Sequence, residues 1–189
     1  MAYSRGRYQD KWRIERQAAV VRRSLGLDQL TPLDPWLLCE AVPAHVFYPE
    51  DFPADGLARQ LQAVPWDGFS FCFPDEVTLI VMLNSARPRT RQMATLMEEL
   101  AHHLLGHKPC AITRDPTGGF LRRSYDPSQE TEAFDLGAAL ILPKEKVQRD
   151  VGAHRSAAEI AREHGCSGDL VIYRIKRMRL WRRYESYAG

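Results

Sequence analysis

Residues 90–107 read Thr-Arg-Gln-Met-Ala-Thr-Leu-Met-Glu-Glu-Leu-Ala-His-His-Leu-Leu-Gly-His, the most regular helical pattern in the chain. At about 100° per residue the apolar side chains share one stripe. That stripe consists of Met93, Leu96, Met97, Leu100 and Leu104. Glu98, Glu99 and His102 share the opposite face. The pattern predicts an amphipathic helix that ends at Gly106 and carries one carboxylate on each side of an imidazole.

The polar face of this helix has two interpretations. Glu98, Glu99 and His102 are either solvent-facing residues of an ordinary amphipathic helix or a group with a shared chemical role. His103 lies at the edge of the apolar stripe, where packing or hydrogen bonding explains a histidine. His107 follows the glycine that ends the helix and can interact with the helix C-terminus. This helix alone does not choose between the two interpretations.

A second helix is predicted over residues 127–142. Asp126 can cap its N-terminus, Pro127 suits its first position, and Pro143 stops it. Its apolar stripe consists of Ala133, Leu136, Leu140 and Ile141. Gly137 lies in the middle of that stripe and allows another helix to pack closely.

Glu130 lies at the edge of the same stripe. A carboxylate there is costly unless it is paired or bound to a cation. One explanation is a salt bridge to Arg122 or Arg123. The alternative is that Glu130 reaches across to the face that carries Glu98 and His102.

Composition restricts the class of protein. The chain has 189 residues, 44% of them hydrophobic, which suits one domain with a real core, alone or with a small appendage. Collagen, coiled coil and wholesale disorder are excluded. The net charge of +2 is too even for a general binder of polyanions. Both ends are nevertheless basic: residues 1–23 carry seven basic and two acidic side chains (+5), residues 149–189 nine and five (+4), and the middle ten and seventeen (−7).

Several features predict the cellular compartment. The longest apolar runs, such as residues 79–83, fall far short of the about 20 residues that cross a bilayer. The N-terminus leads into a charged helix rather than an apolar signal sequence. The four cysteines are widely spaced and form no C-x-x-C motif, which suits reduced thiols. We therefore expect a cytoplasmic protein without a transmembrane helix.

Periodicity and turn residues outline the other elements. Helices are predicted over residues 10–25, 36–41 and 57–64, and strands over residues 42–48, 69–73 and 77–83. Pro74-Asp75-Glu76 separates the last two strands, which is the pattern of a hairpin. Residues 107–126 form a loop by composition.

The two ends of the chain carry basic helices. Ser156 and Ser167 can each cap a helix with Gly165 at the turn between them, which is helix-turn-helix spacing. The second of these helices carries Arg174, Lys176, Arg177 and Arg179, and the N-terminal helix carries Arg13, Arg16, Arg22 and Arg23. Both have the charge that DNA phosphates require. A solvated face is favoured for the N-terminal helix, and packing or protein docking for the C-terminal one.

The stretch from Asn84 to His107 resembles the active-site helix of the ImmA/IrrE family of metallopeptidases. Glu130-x-x-Ala133, followed by Leu140-Ile141-Leu142-Pro143, is similar to that family's third-ligand helix and its ending. Leu33-Asp34-Pro35-Trp36 resembles the usual opening of the family, and residues 156–180 resemble its C-terminal helical module. The likeness covers about residues 30–180.

The resemblance implies a role for each residue of the motif. In the family, H-E-x-x-H places two zinc ligands on one helical face with the general base between them, and a downstream Glu is the third ligand. His102 matches the second histidine, Glu99 the general base and Glu130 the third ligand. Glu98 replaces the first histidine, so the motif reads E-E-x-x-H. The implied metal ligands are Glu98, His102 and Glu130.

The replacement of a histidine by Glu98 changes the expected chemistry. A carboxylate can bind zinc at about 2.0–2.2 Å. Two carboxylates cancel the charge of a divalent ion, so water would be activated less than in a two-histidine site. The oxygen-rich set also suits Mn²⁺ better than a histidine-rich set does.

We therefore expect an α+β protein with a zincin-like metallopeptidase core, a small sheet and a helix-turn-helix-like module. The predicted divisions are an N-terminal basic helix (1–30), a metallopeptidase domain (31–150) and a C-terminal helical module (151–189). The resemblance implies a zinc endopeptidase, with Mn²⁺ as an alternative ion, that cleaves a helix-turn-helix transcriptional repressor during stress or control of a mobile element. The alternatives are an inactive pseudopeptidase and a DNA-binding or adaptor protein. His103, His107 and Tyr125 are candidate oxyanion stabilisers.

Overall fold

The computed structural model describes residues 3–52, 66–71, 78–107, 112–113, 122–123 and 126–188. Within these ranges the chain forms eight α-helices, five strands and one 3₁₀ turn. The helices are α1 (Tyr3–Ser24), α2 (Pro35–Ala41), α3 (Arg89–Leu104), α4 (Pro127–Ile141), α5 (Lys144–Gly152), α6 (Ala157–His164), α7 (Gly168–Arg177) and α8 (Trp181–Ala188). The strands are β1 (Ala44–Phe47), β2 (Gly68–Phe71), β3 (Leu79–Leu83), β4 (Ile112–Thr113) and β5 (Arg122–Arg123), and the 3₁₀ turn is Pro49–Asp51. The predicted α+β class is confirmed.

The larger sheet has the order β1-β3-β2. β2 and β3 are antiparallel, with Gly68 opposite Leu83 and Phe71 opposite Ile80, which confirms the predicted pairing. The turn at residues 74–76 and the helix expected over residues 57–64 lie outside the described ranges. β1 runs parallel to β3, an arrangement that the sequence did not predict. The segment expected to be a loop contains the two-stranded β4–β5 ladder.

Helices α3 and α4 pack against each other at the centre of the protein. Gly137 of α4 lies so close to α3 that a Cβ atom added to it would be 3.1 Å from the Met97 carbonyl oxygen. The apolar stripes of both helices are buried, except for Leu104 at the end of α3, which is only partly buried. The close approach, which requires glycine, brings the polar edges of the two helices together.

Two buried arginines hold the C-terminal end of α4. Arg22 of α1 donates to the Leu140 carbonyl oxygen at 2.6 Å and to the Asp28 carbonyl oxygen. Arg174 of α7 donates to the Leu142 carbonyl oxygen at 2.9 Å. These guanidinium groups satisfy carbonyls that a helix end leaves without intrahelical donors. The expected solvated basic face of α1 is therefore wrong at Arg22, which is fully buried.

The C-terminal helices follow the expected helix-turn-helix pattern. Ser156 and Glu159 form a capping box at α6, Ser167 caps α7, and Gly165 between them has a φ of +63°. On α7, Arg177 and Tyr173 both donate hydrogen bonds to the buried Asp135 of α4. These contacts attach α7 to α4. The predicted domain boundaries stay predictions.

A charge network lies where α5 meets α6. Lys146 and Arg155 each contact both Asp150 and Glu163. The side chain of His164 is completely buried beside this network, and neither ring nitrogen has a hydrogen-bond partner. Burial, followed by the charge of Lys146, lowers the pKa of His164, while Glu163 and Asp150 oppose the shift. None of the described helices combines the length and apolar character of a membrane span.

Buried His164 is expected to make the protein less stable in acid. Its pKa is lower in the folded chain than in the unfolded chain, so below about pH 6.5 the unfolded chain binds more protons and stability falls. The slope approaches about 1.4 kcal/mol per pH unit at most. Urea unfolding between pH 7.5 and about 5 should show a weaker pH dependence in His164→Leu, with His45→Gln, at an exposed histidine, as the control. Equal slopes in His164→Leu and the wild type would contradict this assignment.

Candidate metal centre

Three side chains meet where α3 faces α4. Ligand atoms of Glu98, His102 and Glu130 all lie within 4.8 Å of one another, and each residue is half-buried. Glu98 and His102 are one helical turn apart on α3, so both point to the same side. Glu130 comes from the first turn of α4. The structure therefore brings together the three residues that the sequence proposed as metal ligands.

The spacing of His102 and Glu130 suits two ligands of one ion. His102 Nε2 is 3.7 Å from Glu130 Oε1, which is too long for a hydrogen bond. Two atoms bound tetrahedrally to one zinc ion at about 2.1 Å would be about 3.4 Å apart. The alternative partners of Glu130, Arg122 and Arg123, have side chains outside the described part of the structure.

Apolar side chains surround one side of Glu98. A narrow crevice between α3, α4 and α7 is lined in part by Glu98. The crevice is lined by Ala94, Phe134, Gly137, Ala138, Ile141 and Leu170 as well as by Glu98. A nearby positive charge favours a carboxylate in such surroundings. Arg91 of the same helix interacts electrostatically with Glu98, and a divalent cation would add to that compensation.

His102 is held from the other side by His107. The two Nδ1 atoms are 3.0 Å apart, so one donates and the other accepts a hydrogen bond. His107 Nε2 lies 3.2 Å from Glu132 Oε2, and Arg13 of α1 forms a salt bridge with the other oxygen of Glu132. Burial, together with the neighbouring His102 and Arg13, lowers the pKa of His107. Both ring nitrogens of His107 therefore have partners, and its role as an oxyanion stabiliser stays a prediction.

Glu99 occupies a different environment from its neighbour Glu98. Only 7% of Glu99 is exposed, and the Ser70 hydroxyl on β2 donates to Glu99 Oε2 at 2.5 Å. The interpretation of Glu99 as an ordinary solvent-facing residue is therefore wrong, because edge strand β2 covers it. Its proposed role as general base stays a prediction. Tyr125 lies outside the described residues, and the oxyanion role of His103 stays a prediction.

The donors fit a divalent cation. Two carboxylates and one imidazole form a three-ligand set of the kind found in catalytic zinc sites, which keep one position open. His102 Nδ1 is engaged with His107, so Nε2 is the nitrogen that faces Glu130. The oxygen-rich set is also compatible with Mn²⁺.

One other group among the described residues has comparable spacing. Asp150, Glu163 and His164 also offer ligand atoms within 4.8 Å of one another. Lys146 and Arg155 already neutralise both carboxylates. A divalent ion would add a net double charge to a largely buried network, which is costly. This second group is a structural charge network.

Local sequence patterns did not indicate the residues that support the site. Ser70 and Arg13 approach it from β2 and α1, and no local pattern signals such distant contacts. Glu132 lies two residues after Glu130. Side chains at that spacing point about 200° apart on a helix, so no local pattern indicated that Glu132 supports the site.

Comparison with known proteins identifies the family. The family model for peptidase family M78, described as an IrrE N-terminal-like domain, matches residues 55–176. The matched region includes α3, α4 and all three candidate metal ligands. Among curated proteins, none matches this chain significantly. With well over half of its length matched and its Glu-His-Glu cluster formed on the two central helices, the chain belongs to the ImmA/IrrE family of peptidases, M78.

Proposed function

We propose that this chain is a metal-dependent endopeptidase that cleaves a partner protein. The observation that carries the proposal is the convergence of Glu98, His102 and Glu130 within 4.8 Å. This convergence depends on the close packing of α3 and α4 at Gly137. Membership in a peptidase family supplies the reaction class.

The ligand residues would hold a divalent cation, with zinc as the first choice and Mn²⁺ as the second. Glu98 and Glu130 would contribute carboxylate oxygens, and His102 would contribute Nε2. When bound, the cation supplies Lewis-acid polarisation of water and of the scissile carbonyl. The carboxylates also compensate its charge in partly buried surroundings.

Glu99 would act as the general base and then as the general acid. Its carboxylate would accept a proton from the attacking water and pass it to the leaving amine. The Ser70 hydroxyl fixes the orientation of this carboxylate through Oε2. Burial of Glu99 beneath β2 would limit the contact of this carboxylate with bulk water.

The resemblance to the ImmA/IrrE family supports a helix-turn-helix transcriptional repressor as the partner, acted on in the cytoplasm during stress or control of a mobile element. Free thiols at Cys39 and Cys166 are compatible with this compartment. DNA binding by α7 is the weaker candidate, because Arg174 and Arg177 pair with Glu15 and Asp135 inside the protein. A mobility-shift assay across a salt series tests it, and retardation at low ionic strength would support DNA binding.

A catalytically inactive pseudopeptidase is the second candidate function, and Glu98 is the observation that favours it. Two carboxylates neutralise a divalent ion where the family's two-histidine motif leaves it positively charged. Such a protein would retain the fold and bind its partner without cleaving it.

Elemental analysis of the purified chain tests the metal centre. We expect about one equivalent of zinc or manganese in the wild type and loss of that metal in Glu130→Gln, because a three-ligand site tolerates no missing ligand. Glu185→Gln, at an exposed carboxylate of α8, is the matched control. A folded, metal-free wild type would rule out the metallopeptidase. Metal binding that appears only in Glu98→His would identify the natural chain as a pseudopeptidase that has lost its metal site.

A further inference from the structure

A line of polar contacts leads from the metal centre to the N-terminal helix. Nδ1 of His102 forms a hydrogen bond with Nδ1 of His107. Nε2 of His107 contacts the carboxylate of Glu132, which forms a salt bridge with Arg13 of α1. On its other side, Nε2 of His102 faces Glu130. The choice of the His102 nitrogen that carries the ring proton therefore affects both the contact with His107 and the contact with Glu130.

Two neutral imidazoles that meet through Nδ1 share one proton between them. If His102 donates it, Nε2 of His102 keeps the lone pair that a cation requires. His107 then carries its own proton on Nε2, where it points to the Glu132 carboxylate. If His107 donates instead, the proton of His102 occupies Nε2 and blocks the metal centre, while a lone pair of His107 faces a carboxylate.

We propose that Glu132, held by Arg13 and acting through His107, selects the tautomer of His102 in which Nε2 can bind a cation. An ionised carboxylate accepts hydrogen bonds and cannot donate one, so Glu132, which is 3.2 Å from His107 Nε2, favours the first arrangement. Glu130, which is 3.7 Å from His102 Nε2, opposes it from a longer distance. Glu132 and His107 are thus positioning residues. The inference rests on the proposed function for the identity of the ligand, whereas the tautomer itself is a property of the metal-free chain.

The line also links two parts of the chain that are far apart in sequence. α1 packs along α4, and Gln17 of α1 donates to the Leu104 carbonyl oxygen at the end of α3 at 3.2 Å. Arg13 therefore reaches Glu132 from a helix anchored on both ligand-bearing elements. The basic N-terminal helix has a role in the site, although it precedes the region matched by the family model.

Imidazole ¹⁵N NMR of the chelator-treated full chain measures the tautomer directly. We expect His102 to be protonated at Nδ1 in the wild type, and at Nε2 in a large part of the Glu132→Gln molecules, because an amide can donate to His107. His107→Leu should also lose the preference. His107→Gln should retain it, because its carbonyl oxygen can accept the proton of His102. Glu145→Gln, at an exposed carboxylate of α5, is the matched control.

Competition with a chromogenic chelator for Zn²⁺ gives the second readout. We expect affinity to fall about 10- to 100-fold in Glu132→Gln and His107→Leu, as for other residues that orient a metal-bound histidine. His107→Gln should recover most of this loss, and Glu145→Gln should match the wild type. Circular dichroism checks folding, and Arg13→Gln, at a half-exposed side chain, provides the same test if Glu132→Gln does not fold.

The two readouts separate this inference from the proposed function. A wild type with the proton of His102 on Nε2, or a Glu132→Gln variant with unchanged tautomer and zinc affinity, would overturn the inference. A wild type that shows the Glu132-dependent Nδ1 tautomer but binds no zinc would support the inference and remove the metallopeptidase.

Discussion

Replacing Glu99 with Gln is expected to lower kcat/KM for peptide hydrolysis by a factor of about 10³, within the about 10²–10⁴ that general acid–base catalysis contributes. Glutamine has the same shape and can still accept the hydrogen bond from Ser70, but it cannot take a proton from water. The metal content should stay at the wild-type level. A quenched-fluorescent peptide library and elemental analysis of the same sample measure both quantities.

The control for this experiment is Glu185→Gln, at an exposed glutamate far along the chain on α8. It should retain wild-type hydrolysis, and a chelator should abolish hydrolysis in both proteins. Wild-type activity in metal-loaded Glu99→Gln would exclude Glu99 as the general base. Metal binding without any hydrolysis in the wild type would favour the pseudopeptidase.

Arg174→Met is expected to destabilise the fold by about 3–5 kcal/mol, the usual cost of breaking a buried ion pair. Arg174 is only 1% exposed, and its guanidinium binds both carboxylate oxygens of Glu15 at 2.8 and 3.0 Å. The same group donates to the Leu142 carbonyl oxygen. The substitution leaves a largely buried carboxylate and a carbonyl at the end of α4 without their donor.

Urea unfolding followed by circular dichroism measures this loss. Arg182→Met, at an exposed arginine of α8, is the control and should change stability by no more than about 0.5 kcal/mol. The double substitution Glu15→Met with Arg174→Met should recover part of the loss, because replacing both partners leaves no unpaired charge. A loss below about 1 kcal/mol for Arg174→Met alone would show that this contact does not hold α7 on the core.

Local patterns were sufficient for most of the helices. The apolar stripe of α3, the Asp126 cap and Pro127 of α4, and the serine caps of α6 and α7 are short-range features. A helix that covers an apolar core is specified mainly by its own periodicity and ends, so these elements could be predicted.

The candidate metal ligands could also be predicted from the sequence. Glu98 and His102 are one turn apart on a single helix, so their common direction follows from helical geometry. Glu130 stood out because its position on an apolar edge required a partner. Which partner it faces depended on how α3 and α4 pack, and Gly137 was the only local sign of that contact.

The sequence by itself therefore determined most of the helices, the antiparallel strand pair, the family and the identity of the candidate ligands, because each depends on residues that are close together along the chain. The helices α5 (Lys144–Gly152) and α8 (Trp181–Ala188) were not predicted. Only the tertiary structure showed that Arg22 and Arg174 are buried and bind carbonyl oxygens at the end of α4. It also showed that Ser70 donates to Glu99, and that Arg13 and Glu132 support His107. These contacts join residues that are distant in sequence. They form only when apolar burial has brought the elements together, so no local pattern specifies them.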